Sequence, residues 1–469
     1  MNDTGITAPD TKTLKNAFER KKMFFEAGAT KAYKFRMQAL KRLYEAVKKY
    51  EPEILAALKA DMRKPDFEGF GGDVGVVLQE ISAFRKNLRR WMRYEERPTS
   101  IALWPVKSKL TYEPLGVVLI IGPWNYPFLL PLTPLAAAIA AGNCAIVKPS
   151  ELAPASALVV EKIIRETFDE QHVSVVQGDG AEIVPAMMRA FRFDHVFFTG
   201  SVAVGREIAK LAAEKLIPTT LELGGKSPAL VDRNTDLELT AKRIVWGKYF
   251  NAGQTCIAPD YALVSEESAD DFVEHCKKYI NRFFGENPQE SADFARIIHR
   301  RHFDKICRYL SQGKLLHGGK TDPDDLYIEP AILGDITLND TVMQEEIFGP
   351  VLPVLTYKNL DEALDIIRQN PNPLSLYLFT TSQRTQQLVV NSLPFGNGVI
   401  NQTLVQFTNP DLPFGGVATS GMGRYHGYEG FLAFSNKKSL MEFGFLFDNP
   451  LLYPPYKKWQ LKLAKWFLR

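Results

Sequence analysis

Cysteine is scarce in this chain: Cys144, Cys256, Cys276 and Cys307 are the only four among 469 residues, and no two form a CxxC pair. That spacing argues against a disulfide framework and a zinc ribbon, and it fits a reducing, cytoplasmic setting. Long apolar runs are missing as well. No stretch reaches the roughly eighteen apolar residues a membrane span needs, and the polar opening from Met1 to Lys12 has no secretory apolar core. Charge of one sign is also lacking. The formal net charge is only +3 and no basic block occurs, so a nucleic-acid partner is not expected. Repeats, low-complexity tracts and Gly/Ser linkers are absent, so neighbouring domains should pack directly and leave a cleft between them.

What is present is a globular balance, 45% apolar and 24% charged, enough for two or three domains around large cores. From Thr13 to about Tyr94, apolar residues recur at helical spacing. The Pro- and aromatic-containing segment Arg97 to Tyr112 breaks that pattern and reads as an extended arm. Short apolar runs then alternate with helical stretches: Gly116 to Ile121, Leu132 to Ala141, Cys144 to Val147, Ala155 to Phe168, Val173 to Val176, His195 to Phe198, Val204 to Lys215. Strand and helix in series predict a parallel sheet wrapped on both faces. A second series begins near Ser227 with Pro228 to Val231, Leu237 to Phe250 and Tyr261 to Val264. The fold class is therefore α/β, with two doubly wound parallel-sheet domains. After Pro454 and Pro455 comes a basic helix with Trp459, Leu463, Trp466 and Phe467 on one side. It either packs on its own or a partner subunit, or lays that face in a membrane interface while Lys457, Lys458, Lys462, Lys465 and Arg469 meet acidic headgroups.

Chemistry gathers in a few segments. Asn251-Ala252-Gly253-Gln254-Thr255 leads to Cys256, where a flexible, partly polar loop suits a nucleophilic thiol better than the apolar surroundings of Cys144. A buried structural cysteine is the plainer alternative, and packing accounts for Cys276 and Cys307. Glu222 lies in an apolar run ending in Gly224-Gly225; desolvation would raise its pKa and suit it to activating water, unless it is simply paired with Lys226. Asn125, between Pro123 and Pro127, is either a rigid donor to an oxyanion or a turn former. Lys148 and Glu151 follow one predicted strand, and Gly200 to Gly205 follow another in a turn that is not GxGxxG. Strand ends and helix N-termini receive nucleotides, although a solvated Lys–Glu pair would look the same. Glu346 and Phe348 could reach the cleft from the second domain or form an ordinary acidic turn. The one close histidine pair, His299 and His302, has cationic neighbours, and no metal is assigned.

In order, PWNYP at 123 to 127, KPSE at 148 to 151, FTGSVAVG at 198 to 205, LELGGKSP at 221 to 228, GQTC at 253 to 256, EEIFGP at 345 to 350 and LPFGG at 412 to 416 resemble the aldehyde dehydrogenase superfamily over nearly the whole chain. PFGGVATSGMGRYHGYEGF at 413 to 431 and Tyr453-Pro454-Pro455-Tyr456 look most like its class 3 group, which includes the fatty aldehyde dehydrogenases. The resemblance implies oxidation of medium- or long-chain aliphatic or aromatic aldehydes to acids through a thioester on Cys256. It implies Glu222 as general base and Asn125 with the Cys256 N–H as oxyanion hole. NAD, with NADP open, would be held by Lys148 and Glu151 at the ribose, Gly200, Ser201 and Gly205 at the pyrophosphate, and Glu346 and Phe348 at the nicotinamide end, with Trp124 also in contact with the cofactor. It divides the chain into a dinucleotide-binding domain (1–95 and 113–218), a catalytic domain (219–400), a β oligomerisation arm (96–112 and 432–446) that pairs across a homodimer, and a C-terminal tail (447–469). Two departures stand out. Relatives usually carry Gly where Ala418 stands, which puts the local turn in doubt, and the tail stops at Arg469 without the membrane-spanning extension of some fatty aldehyde enzymes. Rival readings are a coenzyme A-acylating enzyme, against which the retained Glu222 speaks, and a silent scaffold of the same fold.

Overall fold

Burial on both faces turns the short apolar runs into the strands of two mainly parallel sheets. The computed structural model describes residues 11–100, 103, 105–446, 448 and 450–467. The opening residues 1–10, Arg469 and the side chain of Phe467, all invoked above, lie outside that description. Helices Thr11–Glu26, Tyr33–Lys49, Glu51–Met62 and Gly75–Trp91 come first, as their apolar periodicity predicts.

The first sheet has six strands in the order Gly421–Met422, Thr219–Glu222, His195–Thr199, Val117–Ile121, Cys144–Lys148, Val173–Val175. All neighbours are parallel except the short Gly421–Met422 edge. Successive strands spread outward on both sides of Val117–Ile121, which creates a topological switch beside it. At such a point the loops leaving the strand ends part and open a crevice. The strand carrying Glu222 is hydrogen-bonded into this first sheet, so the sheet reaches past the boundary expected at 218.

The second sheet has seven strands in the order Lys314–His317, Ala331–Gly334, Val351–Tyr357, Tyr261–Ser265, Pro228–Val231, Ser375–Phe379, Asn397–Ile400. Only Lys314–His317 runs antiparallel to its neighbour. Behind the first sheet lies Leu129–Ala141, a helix buried along its whole length and closed by Gly142 at φ 96°.

The two arm segments pair with each other inside one chain. Ser435–Glu442 runs antiparallel to Lys107–Pro114 in continuous register, and Glu95–Arg97 takes the opposite edge of Lys107–Pro114. That corrects the expectation that these two segments pair across a dimer. The ladder between them is intramolecular, and the outer edge of Ser435–Glu442 carries no strand among the described residues. The turn at Ala418 forms as a short 3₁₀ segment, with Ala418 in the left-handed region at φ 52° that glycine occupies without strain. The tail folds as a helix over Lys458–Phe467 with Trp459, Leu461 and Trp466 exposed and Leu463 half-buried. Among the described residues no helix is long and apolar enough to cross a membrane.

Candidate active site

Residues around Cys256 are set by a backbone that glycine and asparagine allow. The helix Leu237–Tyr249 stops, and Asn251, Ala252 and Gly253 follow at φ 53°, 50° and 76°. Three left-handed residues in succession reverse the chain tightly. A Cβ at Gly253 would collide with the carbonyl of Gly349, so glycine here serves close approach. The flexibility expected of this loop is not what the structure has. The Gln254 side-chain amide donates to Asn251 O at 3.1 Å and Arg296 O at 2.9 Å, while its oxygen accepts from Ile298 N at 3.0 Å. Gln254 is a fully buried lock.

Asn125 is also buried. Its Nδ2 donates to Gln254 O at 3.1 Å, and its carbonyl accepts from Asn251 Nδ2 at 3.1 Å. Tyr126 shares a 2.6 Å hydrogen bond with Thr255. The Pro-flanked turn is thereby fastened to the cysteine loop. One of the two amide hydrogens of Asn125 is left for another acceptor.

Two cavities meet at Cys256. One, of about 650 Å³, is a crevice between the sheets lined by Trp124, Asn125, Thr199, Gly200, Ser201, Arg206, Glu222, Lys226, Cys256, Glu346 and Phe348. It is bounded by the C-terminal ends of the first sheet's strands and by the N-terminal ends of the second's. The other, of about 170 Å³, is an apolar tunnel whose walls include Phe67, Val76, Tyr126, Leu129, Trp246, Phe250, Ile257, Leu404 and Phe407. Cys256 lines both.

Electrostatics in the crevice is dominated by desolvation. Burial, then the charges of Glu346 and Glu222, push the Cys256 thiol up, so it rests protonated. Burial lifts Glu222 well above the carboxylate range, with Arg424 pulling slightly back, and neither Glu222 oxygen has a hydrogen-bond partner among the described residues. Lys226, the alternative partner for Glu222, pairs with Asp260 instead and donates to Val342 O at 2.8 Å and Glu345 O at 2.9 Å. Glu346 is raised to about 8, first by burial and then by Asp260. A Cβ on Gly224 would fall within its carboxylate, which explains the first glycine of the pair.

Phe348 is held at φ 56°, and its carbonyl is 2.7 Å from His302 Nε2. Burial keeps His302 neutral, its pKa lowered to about 4, so Nε2–H donates. His299 Nδ1 accepts from His302 N at 3.1 Å. The histidine pair therefore braces Phe348 and Trp124, whose rings lie 5.3 Å apart.

The remaining nucleotide candidates divide. Gly200 and Ser201 line the crevice at the N-terminus of Val202–Ala213, where Ser201 caps Val204 N. Lys148 and Glu151 pair with each other at the end of their strand, and Glu151 accepts from Gly180 N at 3.2 Å. Neither lines the crevice around Cys256. Nor does Gly205, where a Cβ would strike Leu223, so its smallness serves helix-on-strand packing.

The orphaned oxygens of Glu222, Glu346 Oε1 and Thr199 Oγ1, together with a capped helix N-terminus and Arg206, are a donor and acceptor set that fits a dinucleotide. A family model described as Aldehyde dehydrogenase family matches residues 4–440. The chain belongs to that family. The 4,4'-diaponeurosporen-aldehyde dehydrogenase of Staphylococcus aureus is 45% identical over 95% of this chain and 97% of its own. Aldehyde dehydrogenase family 3 member A2 of Rattus norvegicus is 41% identical over 97% of this chain and 94% of its own. A substrate-bound Staphylococcus aureus AldH structure superposes with a TM-score of 0.95 at 44% identity, covering 97% of this chain and 99% of that one. An indole-3-acetaldehyde dehydrogenase complexed with NAD+ is 26% identical with a TM-score of 0.86, over 93% of this chain and 90% of its own.

As an aldehyde dehydrogenase, this chain oxidises aldehydes to carboxylic acids. Several of its site residues carry no motif. The tunnel wall comes from Phe67 to Val76, Trp246 and Leu404 to Thr408, segments far apart in sequence that read as ordinary amphipathic helix or loop. Arg206, one turn into the helix after the Gly200 turn, is the one missed residue whose position offered a signal.

Proposed function

We propose that this aldehyde dehydrogenase acts on apolar aldehydes, medium or long aliphatic or aromatic, through a covalent thioester on Cys256. The observation that carries this reading is that Cys256 lines both an apolar tunnel and a polar crevice. The tunnel takes the hydrocarbon and leaves the carbonyl beside the sulfur. Because burial keeps the resting thiol protonated, its proton has to leave through the crevice to solvent before the sulfur attacks. Thiolate attack on the carbonyl places negative charge on oxygen, to which Asn125 Nδ2 and the Cys256 N–H donate. Each such donor lowers the barrier by about 3–4 kcal/mol in comparable sites. NAD or NADP, held at its nicotinamide end by Trp124, Glu346 and Phe348, would supply the hydride acceptor through which the Cys256 adduct becomes a thioester. Glu222 then takes a proton from water as it attacks the thioester, and the acid leaves.

Gly200, Ser201 and Arg206 are assigned to the pyrophosphate, Trp124, Glu346 and Phe348 to the nicotinamide end, and Lys148 with Glu151 to the outer ribose. The dinucleotide part is built on the six-stranded sheet and the catalytic part on the seven-stranded one. Two copies are proposed to join through the open edge of Ser435–Glu442, and the Trp-bearing tail helix to contact acidic membrane surfaces. Cys256→Ala is expected to abolish dehydrogenase turnover on octanal while the fold persists; wild-type turnover in that variant would sink the scheme.

A further inference from the structure

Lys64 and Asp73 form an ion pair whose two side chains are completely shielded from solvent, with Nζ 3.0 Å from Oδ2. Neither belongs to any motif of the sequence. Paired charges in a protein interior stabilise no better than a well-packed apolar pair would, so a pair retained at that depth calls for another use. Here every bond it makes ends on one short stretch. Lys64 Nζ donates to Asn125 O at 3.0 Å and lies 4.2 Å from the centre of the Tyr126 ring. Asp73 Oδ1 accepts from Phe128 N at 3.3 Å and Leu129 N at 3.0 Å, the opening of the buried helix behind the sheet. Asp73 reaches that position because Phe70–Val74 is a π-helical turn, whose wider spacing rotates it inward, and a Cβ on Gly72 would press on Tyr126 at 3.0 Å. Such turns recur at functional sites. From the same segment, Glu68 accepts Asn251 N at 2.8 Å, so both catalytic loops are gripped from one place.

We infer that Lys64 and Asp73 are positioning residues that hold the Asn125 amide where the oxyanion develops. The inference rests on Asn125 being an oxyanion donor. With the Asn125 carbonyl fixed by Lys64 and Asn251, and residues 128 and 129 fixed by Asp73, the turn cannot rotate its amide away from the cysteine. Preorganised donors act strongly because they need no rearrangement when charge forms.

The test is a mutant cycle on the full chain with octanal and NAD. Lys64→Met/Asp73→Asn removes both charges yet keeps an acceptor for the helix. Its kcat should fall by roughly 100-fold, the loss seen when such a donor is removed, with KM and the circular dichroism spectrum unchanged. Asn125→Ala alone should show a similar loss, and adding it to the double variant should lower kcat little further, because the groups act as one unit. Alkylation of Cys256 by iodoacetamide, which develops no carbonyl oxyanion, should keep its rate. An unchanged kcat in the double variant overturns the inference, as do losses that multiply in the triple variant or an alkylation rate that falls in parallel. If Asn125→Ala itself leaves kcat intact, the oxyanion reading fails instead. Should Lys64→Met/Asp73→Asn not fold, Asp73→Glu, which keeps but displaces the pair, is read by the same criteria.

Discussion

Glu222 is the residue whose chemistry the structure most sharpens. A carboxylate with neither oxygen bonded is far more comfortable protonated, and burial raises its pKa accordingly. The direction fixes the pH response. At low pH Glu222 carries its proton and cannot accept one from water, so the hydrolytic step speeds up as pH climbs. Glu222→Gln should leave a pre-steady-state burst of reduced nicotinamide intact but slow steady turnover by about 100-fold or more, and it should flatten the rising limb of the pH profile. A burst lost together with turnover would show that Glu222 acts before the thioester forms. Lys226 shows the opposite case: a charge in the same motif whose bonds all go to Asp260 and backbone carbonyls, which makes it a strut for the Glu345–Ile347 segment.

At the scale of elements, left-handed turns determine where side chains arrive. Gly253→Ala would require a Cβ at φ 76° against the Gly349 carbonyl. Even a shift of about 1 Å in the loop costs on the order of 100-fold in rate, so kcat should collapse while the nucleotide still binds, measured by fluorescence titration. Ala418 offers the reverse experiment. Relief of about 1–2 kcal/mol of left-handed strain, less the roughly 0.5–1 kcal/mol that glycine adds in chain entropy, should make Ala418→Gly more stable by up to about 1.5 kcal/mol in urea unfolding. Loss of stability would mean that the Ala418 methyl packs usefully. The strands and most helices of both sheets were legible because period and burial agree along them. The π turn at Phe70–Val74 was not, since one extra residue in a helix leaves no trace in apolar spacing.

For the whole molecule, two surface features carry the proposed contacts: the edge of Ser435–Glu442 that bears no strand among the described residues, with Leu440 and Met441 open to solvent, and the tail helix with Trp459 exposed. Sedimentation should find a dimer. Deleting residues 451–469 should leave that dimer intact and abolish pelleting with acidic liposomes, whereas equal pelleting of both forms would remove the membrane reading. The parallel α/β class and the family were legible in the chain alone, and so were Cys256, Glu222 and Asn125 as candidates, because local periodicity and motif chemistry are written in consecutive residues. Tertiary structure alone decided that Lys226 leaves Glu222 unpaired, that Gly205 packs rather than lines the crevice, and that the arm closes within one chain. It alone showed that Phe67, Trp246 and Leu404 share one tunnel. Those outcomes depend on which distant side chains and backbone groups come within a few ångströms of each other, and no spacing along the chain encodes that.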